Sequence, residues 1–354
     1  MGLRSYIIKR TIYSIFLIIG VLTVNYILFM LMPGNPVDLF IPPRGLSKEQ
    51  QEKLIASFKR AWGLDAPPYI QYINYLYRMF TWNFGNAIRD SRPVAEHLLS
   101  RLPWTIWLLG TSTTVSIIIG VILGAWAAHK RGSIFDSVSV TSSLILNSLP
   151  VFWVGLILIL IFAQLTGWLP TGKAVPDEWA GNWPKPINID KNAGTANLAL
   201  TFNVNMAETA KFIGGLLRHL ILPFSVLTLF MFGGYLLLTR ATMLEALTED
   251  YVQTAKAKGL TDRTIIFRHA LKNASLPIIT SAAMSFGFMF SGAIITETIF
   301  SWGGMGRFIW EVTYEFQDYF CMQAVFYITA LTVIIANIIA DLLYGVIDPR
   351  IKYG

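Results

Sequence analysis

The sequence predicts an all-α membrane protein with about six transmembrane helices. Three observations carry that prediction. Of 354 residues, 54% are hydrophobic and 14% charged, whereas a soluble domain carries about 25% charged residues. The apolar residues gather into six runs able to cross a hydrocarbon layer about 30 Å thick, which takes about 20 helical residues. The basic residues behind the net charge of +7 and the pI near 9.4 sit mainly beside those runs. There they set topology, which argues for a lipid bilayer and against nucleic acid as the partner.

The first run, 7–32, follows Arg4, Lys9 and Arg10, which place the N-terminus in the cytoplasm. Its apolar core is too long for a cleavable signal peptide, and it ends in "MPGNP" rather than at a small-residue cleavage site. Residues 33–101 form an external region. Within it Leu54, Phe58 and Trp62 recur at helical spacing, predicting an amphipathic helix. The Trp, Tyr and Phe of 69–84 predict a segment along the headgroup layer. This region is basic although external, which long translocated segments tolerate.

The second run covers 102–128, and the turn "HKRG" at 129–132 lies inside. The third covers 138–165 and is kinked at Pro150. Residues 166–213 form an external loop, irregular by its Pro, Asn, Gly and Trp content; loops of that length are commonly functional or disordered. Run four, 216–239, leads into a cytoplasmic loop at 240–274. Run five, 275–300, leads into an external loop at 301–323, where Arg307 faces Glu311, Glu315 and Asp318. Run six, 324–347, returns the chain to a cytoplasmic tail with Arg350 and Lys352.

Familiar catalytic and metal motifs do not organise this chain. Cys321 is the single cysteine, so no intrachain disulfide and no Cys-based zinc site forms. His97, His129, His219 and His269 are scattered without metal spacing. "GWLPTGKA" at 167–174 nearly spells a phosphate-binding loop, but Ala174 replaces the magnesium-binding hydroxyl, Pro170 interrupts it and no strand precedes it. No Ser-His-Asp ordering is present, so the chain is not read as an enzyme. "NAS" at 273–275 matches a glycosylation acceptor, which a cytoplasmic location excludes.

Polar groups inside the spans are costly in lipid and mark packing or pathway positions. Those residues are Asn25, Asn147, Glu297, Asn337 and Asp341, the last two four apart on one helix face. Interhelical hydrogen bonding is the favoured reading, because no chain of ionisable groups crosses the membrane. Gly120 and Gly124 in "GVILG" share a face where another helix can approach closely.

The 240–274 loop is longer than a turn requires. "TMLEALTEDYVQTAKAK" is helical by propensity, with Leu244, Leu247, Tyr251 and Ala255 along one side. Gly259 is a natural C-cap, Thr261 an N-cap, and Asp262 suits the first turn of a second helix. That helix presents Ile266, Phe267, Ala270 and Leu271 among Arg263, Arg268 and Lys272. Such a helix can lie on a membrane surface or offer an apolar ridge to a partner's groove.

The stretch "YVQTAKAKGLTDRTIIFRHALKNASLPIIT" resembles the cytoplasmic EAA loop of ABC-importer permeases, in the branch that imports dipeptides, oligopeptides and nickel. "YIIKRTIYSIFLIIGV" with "LMPGNP" is similar to the N-terminus of the first of the two permeases in such systems. "RLPWTIWL", "ETIFSWGGMGRF", "QDYF" and "NIIADLLYGVIDPRIKYG" resemble the shared core, so the similarity spans nearly the whole chain.

The resemblance implies the transmembrane domain of a type I importer. It implies residues 1–101 as an N-terminal helix plus external region, 102–347 as the permease core, and 348–354 as a cytoplasmic tail. It also implies a second homologous permease subunit, two ATPases that bind ATP and Mg, and an external substrate-binding protein; this chain itself would hold no cofactor or metal. Ala255, Gly259, Leu260, Thr261, Asp262, Arg263, Ile266, Phe267 and Arg268 would form the ATPase-coupling contact. Oligopeptides are the expected cargo, with cellobiose-like oligosaccharides or nickel as alternatives; Trp168, Trp179 and Trp183 would suit sugar faces, but the favoured reading has them anchor at the membrane interface or contact the binding protein. An ion-coupled secondary transporter is the alternative of another class.

Overall fold

The computed structural model describes residues 3–31, 47–62, 65–179, 183–184, 187–189 and 202–347. The "MPGNP" junction, the tail at 348–354 and part of the 166–213 loop lie outside the described residues. The described chain is almost wholly helical and divides into two compact units, residues 1–105 with 275–294 and 308–354, and residues 106–274 with 295–307. Among the described residues, five helices are long and apolar enough to cross a membrane, and there are up to six spans if the bent pair Ile134–Ser148 and Val151–Leu165 counts as one.

The first unit pairs α1 (Leu3–Leu31) with α13 (Tyr319–Ile347). Arg10 forms an ion pair with Asp341, and Asn25 Nδ2 donates to the Gln323 carbonyl at 3.4 Å, so the two helices run antiparallel. After α2 (Lys48–Trp62), α3 (Pro68–Phe80) packs on α1, Asn25 Nδ2 also donating to the Tyr75 hydroxyl at 2.9 Å. Tyr69, Ile73, Tyr77 and Trp82 stay exposed on and just after α3. The loop that follows is tied down by buried Asp318, whose carboxylate accepts from Ile88 N at 2.5 Å and Cys321 N at 3.1 Å. Arg101 pairs with Glu311 at 2.9 Å. Most of α10 (Leu271–Phe288) also belongs here, with Gly287 against Ala336.

The second unit is built on α4 (Val94–His129), α5 (Ile134–Ser148), α6 (Val151–Leu158, extended as a π-helix over Ile159–Leu165) and α7 (Met206–Ala246). Close approach explains the paired glycines of α4. A Cβ at Gly120 would lie 2.5 Å from Tyr235 Cβ, and one at Gly124 would lie 2.5 Å from the Leu236 carbonyl oxygen. The predicted "GVILG" contact is therefore made with α7.

Four expectations change. The third span is broken rather than kinked: α5 and α6 meet at 94°. Pro150 has no N–H to continue α5, and Leu149 before it is extended, as a residue preceding proline prefers. The fifth span stops early, at a 3₁₀ turn over Met289–Ser291 and Gly292, so Glu297 lies in a separate short helix, α11 (Ile294–Ile299). Uninterrupted hydropathy conceals that break. The 166–213 loop is not irregular throughout. It holds a two-stranded antiparallel ladder, β1 (Ile187–Ile189) with β2 (Phe202–Val204), and α7 begins at Met206, capped by the Asn205 side chain. The 301–323 loop contains α12 (Met305–Trp310), continued as a π-helix over Glu311–Glu315.

Candidate functional site

The 240–274 loop breaks at Gly259, as its sequence predicts, but the helix predicted over 242–258 is itself divided: its first part, to Ala246, belongs to α7. α8 (Asp250–Ala257) ends at Lys258, and Gly259 takes φ +72, a backbone region that side-chain-bearing residues rarely enter. Leu260 N then donates to the Ala255 carbonyl at 3.3 Å. Thr261 caps α9 (Asp262–Thr264), its hydroxyl accepting from Thr264 N at 3.4 Å. The helix runs on as a π-helix over Ile265–Ala270 directly into α10.

Two apolar clusters hold this loop on its own unit. Val252, Ala255 and Ile265 pack with Tyr251, joining α8 to the following helix. Ile266, Ala270 and Ala274 pack with Ala125 and Ala128 of α4 and Met243 and Ala246 of α7, with Phe267 and Trp126 at the edge. This corrects the predicted contact set. Ile266 is fully buried, Ala255 buried and Phe267 half-buried, so the apolar ridge faces inward and is not offered to a partner's groove. Gly259, Leu260, Thr261, Asp262, Arg263 and Arg268 are exposed, together with Gln253, Thr254, Lys256, Ala257 and Lys258. The result is an exposed, largely basic tip on a buried pedestal.

The turn after α4 sits beside the tip. His129 Nε2 lies 3.6 Å from Asp262 Oδ2, and Trp126 stands edge-on to Phe267 at 5.9 Å. A few residues on, buried Asp136 accepts from Arg240 Nε at 2.6 Å, Arg240 Nη2 at 2.8 Å and Gly132 N at 3.0 Å. Sequence reasoning missed this pair. Each charge reads locally as a span-flanking residue, and nothing near either one signals a partner across the fold.

The intramembrane polar residues take separate roles. Asn25 and Asp341 join α1 to α13, as expected of interhelical contacts. Fully buried Glu297 accepts from Arg307 N at 3.1 Å, holding the start of α12. Asn337 is half-buried, and Asn147 is exposed one residue before α5 ends. The near-phosphate loop is occupied by its own unit: Lys173 N donates to the Phe300 carbonyl at 2.7 Å, and Lys173 Nζ pairs with Asp177 at 2.5 Å. Trp179 is buried in a stack on Phe212 at 5.5 Å, which removes it from any sugar platform, whereas Trp168 and Trp183 are exposed. Among the described residues, no three His, Cys, Asp or Glu side chains gather as a metal site.

Several long apolar helices, with an ordered polar loop between two of them, define a multi-pass membrane protein. The chain belongs to the binding-protein-dependent transport system inner membrane components: that family matches residues 120–353, and its N-terminal region matches residues 3–109. This is the transmembrane domain of type I ABC importers. The chain is 33% identical over 352 residues to the oligopeptide transport system permease protein AppB of Bacillus subtilis, covering 99% of this chain and 100% of that protein. It is 34% identical over 349 residues to the dipeptide transport system permease protein DppB of Escherichia coli K12, covering 99% of each. Against the glutathione transport system permease protein GsiC of Salmonella typhi it is 30% identical over 349 residues, again covering 99% of each.

Proposed function

We propose that this chain forms half of the translocation pathway of an ATP-driven importer for oligopeptides. It would work with a second homologous permease, two ATPases that bind ATP and Mg, and an external binding protein that delivers cargo. The observation that carries the reading is the exposed tip of the 250–264 loop. Gly259, Leu260, Thr261, Asp262 and Arg263 stand exposed, whereas the loop's apolar ridge is already used inside the unit. A rigid basic projection of that kind suits a partner's groove with an acidic rim.

In this reading Gly259–Arg263 and Arg268 are the ATPase contact, while Ala255, Ile266 and Phe267 position it. Both termini and the 240–274 loop face the cytoplasm, in keeping with the Arg10–Asp341 pair, which sets the N-terminal part of α1 beside the C-terminal part of α13. Residues 1–101 act as an N-terminal unit and 102–347 as the permease core. Peptides are favoured over sugars because relatives matched along the whole chain are named for peptides, and because buried Trp179 leaves the external tryptophans without a continuous face.

Two measurements test the proposal. Arg263→Cys should cross-link to a cysteine on the partner ATPase in the assembled complex, whereas Ile266→Cys should not. The partner binding protein should bind tri- to pentapeptides. Tight binding of cello-oligosaccharides without peptide binding would overturn the cargo, and cross-linking at Ile266 rather than Arg263 would overturn the contact.

A further inference from the structure

The second unit contains a continuous physical link between the loop tip and the middle of the broken third span. It starts where His129 meets Asp262 at 3.6 Å and Trp126 meets Phe267 at 5.9 Å. The turn after α4 is then fixed on buried Asp136, which accepts from Gly132 N at 3.0 Å and takes Arg240 of α7 through two hydrogen bonds of 2.6 and 2.8 Å. Ser133 caps α5 by accepting from Asp136 N at 3.3 Å. A bidentate Arg–carboxylate pair fixes angle as well as distance, and breaking one side leaves a buried charge.

α5 then lies along α7, where Gly233 lets Ser143 approach. The loop, the end of α4, the whole of α5 and the C-terminal half of α7 are therefore tied as one body. The ties stop at two prolines. Pro150 ends α5 at the 94° turn, and beyond it α6 packs on Leu222 and Val226 of α7 together with Phe300. Pro223 lies inside α7 within the α6 contact region, between Leu222 and Val226, and lacks the N–H that would bond to the turn before it. Exposed Asn147 and Ser148 sit at the edge of the body, directly before the break.

We propose that the Asp136–Arg240 ion pair is the joint that passes movement of the 250–264 loop to the broken third span, with Leu149–Pro150 and Pro223 as the hinges that absorb it. The inference rests on the reading of that loop as the ATPase contact. Asp136 and Arg240 are positioning residues: they touch neither cargo nor nucleotide. They hold α5 at a fixed angle to α7, so displacement at the tip arrives at Asn147 instead of being lost in the turn.

The test uses the complete complex in proteoliposomes, with Asn147→Cys as reporter; the native Cys321 is buried and stays unlabelled. A membrane-impermeant maleimide labels the introduced thiol with and without trapping by ATP and vanadate. With the joint intact, trapping should change the labelling rate about tenfold. In D136N and R240Q that change should vanish while the ATPases stay bound and vanadate still traps. The swap D136R/R240D should restore it. Should D136N shed the ATPases, His129→Ala, which removes the contact with Asp262 and leaves the Asp136–Arg240 pair in place, decides in the same assay and should reduce the change at least by half. A full response in D136N or R240Q overturns the joint, as does the absence of any response in the parent. The docking itself is read separately, by cross-linking at Arg263→Cys, and stands or falls on that result.

Discussion

Gly124→Ala measures how tightly α4 and α7 are joined. The added Cβ would lie 2.5 Å from the Leu236 carbonyl oxygen, 2.8 Å from Thr239 Cβ and 3.1 Å from Arg240 N, whereas ordinary contact begins at 3.4 Å. Two of these neighbours are backbone atoms, which no rotamer change can move. The helices must therefore part by about 1 Å, and a close-packed interior does not absorb that locally. Overpacking of this kind costs about 1–3 kcal/mol. Alanine also favours the helix over glycine by about 1 kcal/mol, which masks part of the cost. Gly20→Ala supplies the control: it makes the same chemical change in an apolar helix, and its Cβ would meet nothing within 4 Å. The propensity gain cancels between the two variants, leaving the packing cost of about 1–3 kcal/mol. Thermal unfolding of the purified permease, followed by tryptophan fluorescence, should place Gly124→Ala several degrees below Gly20→Ala. Coincident melting of the two variants would refute the close approach of α4 and α7.

Other variants separate support from contact. Ile266→Ala empties a fully buried position and should cost about 2–5 kcal/mol, read as loss of hydrogen-exchange protection across 250–270. Arg263→Glu, at an exposed position, should change stability by less than about 0.5 kcal/mol while weakening capture of the ATPase subunits. Asp318→Ala leaves Ile88 N and Cys321 N without their acceptor, at about 1–3 kcal/mol each, and should speed maleimide reaction at Cys321. Acid should loosen the 83–93 loop through Asp90. Desolvation works against its charge, but the Arg92 N–H, the His97 ring and the charges of both residues outweigh it and hold the carboxyl below its ordinary value. A depressed carboxyl contributes stability that is present above the unfolded value of about 3.9 and is lost as pH falls through the lower folded value. Exchange protection of that loop should fall below about pH 4 in the parent, and Asp90→Asn should remove the dependence.

Much of this arrangement was legible in the sequence because it is written locally. Apolar length marked the spans, Gly259 and Thr261 marked the break between the loop helices, and Gly120 and Gly124 marked a close crossing. Pro150 marked a disturbance but not its size, since a proline can bend a helix gently or end it, and packing decides. In the present case α6 packs separately on Leu222, Val226 and Phe300, so the chain turns fully. The burial of Ile266 and the half-burial of Phe267 were not legible for a related reason. An amphipathic face shows that burial will occur but does not identify the covering surface, and Met243 and Ala246 of the preceding helix reached it first. The Asp136–Arg240 pair was not legible at all, because two charges far apart in sequence carry no sign of their meeting.

The positions of glycine and proline in the second unit explain how a membrane chain can be stiff and jointed at once. Lipid offers apolar side chains no hydrophobic drive to associate, so helix pairs hold by close packing and by polar contacts. Gly120, Gly124 and Gly233 provide the first, and Asp136 with Arg240 provides the second, all on the loop side of Pro150 and Pro223. At those prolines α6 meets α7 through larger apolar side chains, packing on Leu222 and Val226 together with Phe300. Side-chain packing of that kind can slide by small steps, whereas interlocked backbones and a bidentate ion pair move as one. The body nearest the proposed ATPase contact is therefore the one built to keep its shape. Its junction with the rest of the unit is the place where the backbone has given up hydrogen bonds and can change angle at low cost.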